Sequence, residues 1–233
     1  MMDERRVCIS RSLGMKRRLP VLPAIRRTYL ASEQWKAQDI VIHSDLNRTS
    51  NLSHPRARRI MMRYASHLPR CGYIQGQLYL LRVLFDVSND ERWVFWAFVF
   101  LTIRTNPFGP LGFDSGDPPA LPHWVVDRAS LSVDAGLLSR FISLRWAYIL
   151  WGQSCDDRNE LLWPVWNFVL RGRIHIMSFA AAMLDYVTDR LGLGMLEEGD
   201  LPFVFGYQLS SQEEVGKVLA EAQQIAINHS TWK

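Results

Sequence analysis

The feature that most narrows the fold is a helical repeat of apolar residues that dominates the chain after residue 50. Met61, Tyr64, Ala65 and Leu68 fall at i, i+3, i+4 and i+7, which places four side chains on one face of an α-helix. Arg56, Arg59, Arg63 and Arg70 take the other face. Ser53 followed by Pro55 reads as a cap and a first-turn proline, so a helix is predicted over 53–68. Leu78, Leu81, Val83, Leu84 and Phe85 predict a second, buried helix, and Asn89-Asp90 caps a third from Glu91 to about Thr102. Further helices are predicted over 132–153, 160–170 and 175–190. Ser211-Gln212-Glu213-Glu214 has the capping-box pattern. It opens a last amphipathic helix with Val215, Val218, Leu219, Ala222 and Ile225 on one face. No strand pairs stand out. The expected fold is all-α, a single multi-helix domain over 22–228, interrupted by a Pro/Gly-rich loop at 105–124.

Composition locates the charge. Residues 1–27 hold eight Lys/Arg against Asp3 and Glu4, a net +6, while the remainder holds nineteen basic and twenty-one acidic residues, a net −2. The basic character therefore belongs to an N-terminal arm, residues 1–21, expected to be solvated and partly disordered. Such an arm makes weak contact with an anionic membrane surface through charge attraction; no nucleic-acid partner is expected. Cys8, Cys71 and Cys155 form no C-x-x-C pair, which argues against a zinc site and a disulfide framework. The longest apolar run, Trp93 to Ile103, suits a buried helix rather than a membrane span. No apolar leader opens the chain, so a cytoplasmic protein, peripheral on endomembranes at most, is expected. The six histidines show no metal-ligand spacing, and no Walker-type phosphate loop or serine-nucleophile motif is present.

Two short patches carry chemistry. The first is Ile42-His43-Ser44-Asp45-Leu46-Asn47-Arg48-Thr49, and the second is Gly72-Tyr73-Ile74-Gln75-Gly76. They offer an arginine with a carboxylate three residues before it, and a glutamine between glycines. These side-chain types complete a GTPase active site from outside: arginine neutralises charge on the transferred phosphoryl group, and glutamine orients the attacking water. Taken without further context, Arg48 is a surface arginine paired with Asp45, and Gln75 is a turn residue.

The order and spacing of these patches resemble the TBC domain of Rab-GTPase-activating proteins, with its I-x-x-D-x-x-R and Y-x-Q motifs; the chain looks like a short, divergent member. The likeness runs through Arg63-Tyr64-Ala65 to Leu84, and weaker similarities appear in Trp146 to Trp151, Leu162-Trp163 to Gly172, and Ala180 to Tyr186. The chain departs from the pattern at Gln77, where the family usually has Met, at Ser50-Asn51, and at Asn167. The resemblance implies an activator that is not itself the hydrolase. Arg48 and Gln75 would act as catalytic fingers in trans on a Rab-like small GTPase. Asp45 and Tyr73 would support them with Ile42, Thr49, Gly72 and Gly76, and Arg56, Arg59 and Arg63 would form a rim meeting the partner. It implies no cofactor of its own, since GTP and Mg2+ are carried by the GTPase. The alternative implied is a catalytically weak module that binds a GTPase or trafficking partner as a scaffold.

Overall fold

A computed structural model of the chain describes residues 2–15, 18–49, 52, 54–69, 72–104, 121–126, 133–142, 155 and 159–230. The all-α expectation holds: among the described residues the regular elements are helices, with one isolated parallel bridge between Cys155 and Leu209. The chain divides into two compact units, Met1–Arg104 and Thr105–Lys233.

The first unit contains α1 (Met2–Ser12), α2 (Arg27–Leu30), α3 (Glu33–Arg48), α4 (His54–His67), α5 (Gln77–Val87) and α6 (Glu91–Arg104). Helix α5 packs against α1 and α6. Its Leu78, Leu80, Leu81, Val83 and Leu84 are all buried, as expected of a helix apolar on most of its surface. Helix α4 turns Ile60, Met61 and Tyr64 into the core, and Tyr64 meets Phe98 of α6 edge-on, with ring centroids 4.8 Å apart. The predicted α6 cap forms: Asp90 accepts from the amides of Arg92 and Trp93 at 3.0 and 3.3 Å.

The described N-terminal residues pack within the first unit. Helix α1 buries Ile9 and Leu13, and Arg6 pairs with Asp90 at 3.0 Å while lying over the Trp93 ring. Residues 20–26 are fastened to α4 and α6. Arg92 Nε and Trp96 Nε1 both donate to the Pro20 carbonyl at 2.8 Å, and Arg63 donates to the Pro23 carbonyl at 2.7 Å. Part of the basic charge is thus engaged inside the unit, which a count of charges along the chain does not show.

The second unit contains α7 (His123–Val126), α8 (Ala135–Phe141), α9 (Asn159–Val169), α10 (Arg173–Arg190), a 3-10 turn (Glu198–Asp200), α11 (Leu201–Gly206) and α12 (Gln212–Asn228). Helices α10 and α12 make its main contact, with α9 against both. The buried run Ala180–Ala182 gives α10 a low profile that lets a neighbour approach closely. Of the helix predicted over 132–153, α8 is the described part; residues 143–154 lie outside the described residues, as do 105–120 of the predicted loop. The end of that loop is corrected, because His123–Val126 is helical. Half of the predicted capping box forms at α12. Ser211 Oγ accepts from the Glu214 amide at 3.2 Å, but Glu214 turns instead to the amide and hydroxyl of Ser210, at 2.7 and 2.9 Å.

Candidate functional site

Both chemistry-bearing patches lie in the first unit. Ser32 starts α3 by accepting from the Trp35 amide at 3.1 Å, and the helix runs sixteen residues to Arg48. Ile42 and Leu46 anchor it in the core. Thr49 closes it from a buried position, its hydroxyl donating to the Asp45 carbonyl at 2.8 Å. Arg48 therefore sits in the last turn of a helix rather than in a loop. There the carbonyl end of the helix dipole favours a cation.

Asp45 organises what surrounds it. It is 5% exposed, and its two oxygens serve different segments. Oδ1 accepts from Arg48 Nη2 at 2.6 Å, the contact that an i, i+3 spacing on a helix allows. Oδ2 accepts from the Tyr73 hydroxyl and, at 2.9 Å, from the Gly76 amide. One buried carboxylate thus ties the end of α3 to the turn that carries Gln75. Burial first, then the bond to Asp45 and its charge, raise the Tyr73 phenol far above its ordinary value, so it remains a neutral donor.

The turn itself depends on its glycines. Gly72 has φ +60°, and a Cβ there would lie 2.4 Å from Gln38 Nε2. Gly76 has φ +95° and ψ −14°, backbone that glycine adopts without the penalty a side chain brings. Between them Tyr73 and Ile74 are half-buried, whereas Gln75 is exposed. Arg48 is also exposed, with 57% of its side-chain surface free. The backbone around each candidate finger is fixed while its tip faces solvent.

Arg56, Arg59 and Arg63 do not join this cluster. Arg56 donates to the Asn89 carbonyl at 2.7 Å and to Glu91 at 3.3 Å, and lies over the Phe85 ring. Arg59 pairs with Glu91 at 2.6 Å, and Arg63 holds Pro23. These guanidinium groups fasten α4 to α6 and to the N-terminal segment. Arg59 also lines a groove of about 440 Å³ between α3 and α4, with His43, Leu46, Pro55, Arg58 and Met62. Two contributors escaped sequence reasoning. Gln38 packs against Gly72 and accepts from the Tyr29 hydroxyl at 3.2 Å, and nothing in its sequence surroundings marks it. Gln77 bonds the Ile74 amide at 3.1 Å; its departure from the family pattern was its only signal.

Fold and site together define a helical domain in which one buried carboxylate bonds an arginine and the turn that carries a glutamine, and both of those side chains are exposed. Residues 24–110 match the family model of the Rab-GTPase-TBC domain, which is consistent with a TBC domain in that part of the chain. This match covers less than half of the chain. It includes α2 through α6 and every site residue above, and it does not reach the later stretches that resemble the family, Trp146 onward. The TBC domain is associated with acceleration of GTP hydrolysis by Rab GTPases. No curated protein matches the chain. Among the described residues no group of His, Cys, Asp and Glu is placed to hold a metal ion, and no helix is long and apolar enough to cross a membrane.

Proposed function

We propose that this protein is a GTPase-activating protein for a Rab-family GTPase, with Arg48 and Gln75 as its arginine and glutamine fingers. The observation that carries the reading is the Asp45 carboxylate, which binds the Arg48 guanidinium through one oxygen and the Gln75-bearing turn through the other. Two fingers must reach one nucleotide, so they need a common mount. A carboxylate also leaves the arginine charged and limits its rotamers, which lowers the ordering cost at the moment of docking.

In the proposed reaction the partner brings GTP and Mg2+. As the γ-phosphoryl group leaves, charge grows on its oxygens and on the bridging oxygen. The planar guanidinium of Arg48 stabilises that charge with paired N–H groups, which lysine cannot reproduce. An arginine supplied in trans contributes about 10³–10⁵ in rate, roughly 4–7 kcal/mol of barrier. The Gln75 carboxamide aligns the attacking water. The proposal places the protein in the cytoplasm, peripheral to endomembranes, where exposed Arg11 on α1 adds weak attraction to anionic lipid.

Single-turnover GTP hydrolysis across a panel of purified Rab GTPases tests the reading. Acceleration of one or a few Rabs is expected, falling by at least about tenfold in both Arg48→Lys and Gln75→Ala. No acceleration by folded wild-type protein would overturn it, leaving the scaffold alternative.

A further inference from the structure

We propose that Gln77 is a positioning residue for Gln75, its side-chain oxygen acting as a clamp that closes the turn from which Gln75 projects. The inference rests on the reading of Gln75 as a finger, although the clamp itself is measurable without any GTPase.

Gln77 is the first residue of α5 and is fully buried. At a helix start a glutamine readily extends into water, so complete burial is informative. Its Oε1 accepts from the Ile74 amide at 3.1 Å, and its own amide donates to the Ile74 carbonyl at 3.1 Å. The two residues therefore exchange a side-chain bond and a main-chain bond across Gln75 and Gly76. Gly76, with φ +95° and ψ −14°, has the geometry of the third residue of a type II turn. Asp45 holds the Gly76 amide from the other side. Three backbone groups flanking Gln75 are thus fixed: the Ile74 amide, the Ile74 carbonyl and the Gly76 amide. The chain is held on both sides of Gln75, whose side chain is exposed.

The arrangement has a cost that makes it testable. Gln77 Nε2 is buried without a hydrogen-bond partner, and an enclosed donor left unpaired is destabilising. Methionine has a similar length and no polar hydrogen. Gln77→Met removes the clamp and the orphan donor together, so turn order is expected to fall with no accompanying fall in global stability. A residue that merely filled space would lower both together or leave turn order unchanged.

The test compares wild type with Gln77→Met by amide hydrogen exchange, thermal melting and GTPase kinetics. Exchange at Ile74 is expected to quicken by about tenfold or more while Tm holds or rises. In the hydrolysis assay kcat is expected to fall by about three- to tenfold with KM unchanged, and Gln77→Met is expected to add nothing in the Gln75→Ala background. Gln77→Glu keeps an acceptor at the helix N-terminus, where negative charge is favoured, and is expected to hold Ile74 exchange within about threefold of wild type. Unchanged Ile74 exchange in Gln77→Met overturns the inference, as does an undiminished loss of kcat in the Gln75→Ala background. Faster exchange in a protein that activates no Rab would instead overturn the GTPase reading and leave the clamp standing as an ordering device for the turn.

Discussion

Two carboxylates, one in each unit, gather hydrogen bonds in similar number and to different effect. In the first unit Asp45 takes the Tyr73 hydroxyl and the Gly76 amide on one oxygen, and gives the other to the exposed Arg48 guanidinium. In the second unit Glu214 accepts from the Ser210 amide and hydroxyl, and from the hydroxyls of Tyr186 and Tyr207 at 3.0 and 3.1 Å. Every one of these four donors is neutral and belongs to the unit's own loop and helices. Glu214 is a knot that closes the 207–211 connection onto α10 and α12. Asp45 uses the same chemistry to secure a cation whose remaining surface faces outward. A count of hydrogen bonds does not separate the two; the charge and exposure of the last donor do.

The sharpest way to break the comparison is at that donor. Arg48→Lys is expected to reduce GTPase stimulation by about 10³ while changing unfolding free energy by less than about 0.5 kcal/mol, read by single-turnover hydrolysis beside urea unfolding. A parallel fall in stability would make Arg48 a structural partner like those of Glu214. Asp45→Ala comes next, because it strips the acceptor from Tyr73 and Gly76 and frees Arg48. A loss of about 2–4 kcal/mol is expected in urea unfolding, together with most of the stimulation. If activity survived that loss, the shared mount would be unnecessary.

Glu214→Gln is expected to affect stability alone and to do so with a defined pH dependence. Burial pushes the Glu214 carboxyl up, but the bonds from Ser210, Tyr186 and Tyr207 outweigh it and hold the group down at about 2, against an ordinary value of 4.5. A depressed folded value means that the contribution is complete above about pH 4.5 and disappears as pH falls toward 2. Because the group is partly exposed, the expected gap at pH 7 is discounted to about 1–2 kcal/mol. It should close over that acid window in urea titrations; a gap constant with pH would remove the ionic contribution. Burial, and then the bond to Glu214, also raise the Tyr186 phenol to about 12, so neither partner titrates near neutrality. The smallest effect belongs to Gly72→Ala. The clashing atom is the end of a flexible glutamine, so the cost is mainly the positive φ, about 1 kcal/mol. Gln38→Ala in the same chain should not recover it, and full recovery in thermal melts would assign the cost to the clash.

Legibility in the sequence followed the range of the interaction. Helices α4, α5, α9 and α12 were visible because apolar residues recur every three or four positions within each, and α6 and α10 because long apolar runs suit buried helices. Helices α1 and α3 were not, since α3 shows a broken apolar stripe with Ile40 and Val41 left exposed, and α1 is dominated by charge. The Asp45–Arg48 contact spans three residues and can be inferred from helical spacing. The bonds from Tyr73 and Gly76 to Asp45 span 28 and 31 residues, and no local pattern encodes them. The same applies to Arg56, Arg59 and Arg63, whose partners lie 32 to 40 residues away.

By itself, then, the sequence determined a helical chain, the identity of its arginine and glutamine, and the glycines that permit the Gln75 turn, because helix periodicity and backbone freedom are properties of neighbouring residues. Tertiary structure alone decided that Asp45 joins the two patches, that Gln77 locks the turn from within, and that the basic N-terminus folds onto α5. Hydrogen bonds and ion pairs act over a few ångströms of space whatever the separation along the chain, so only packing of the helices determines which of them form.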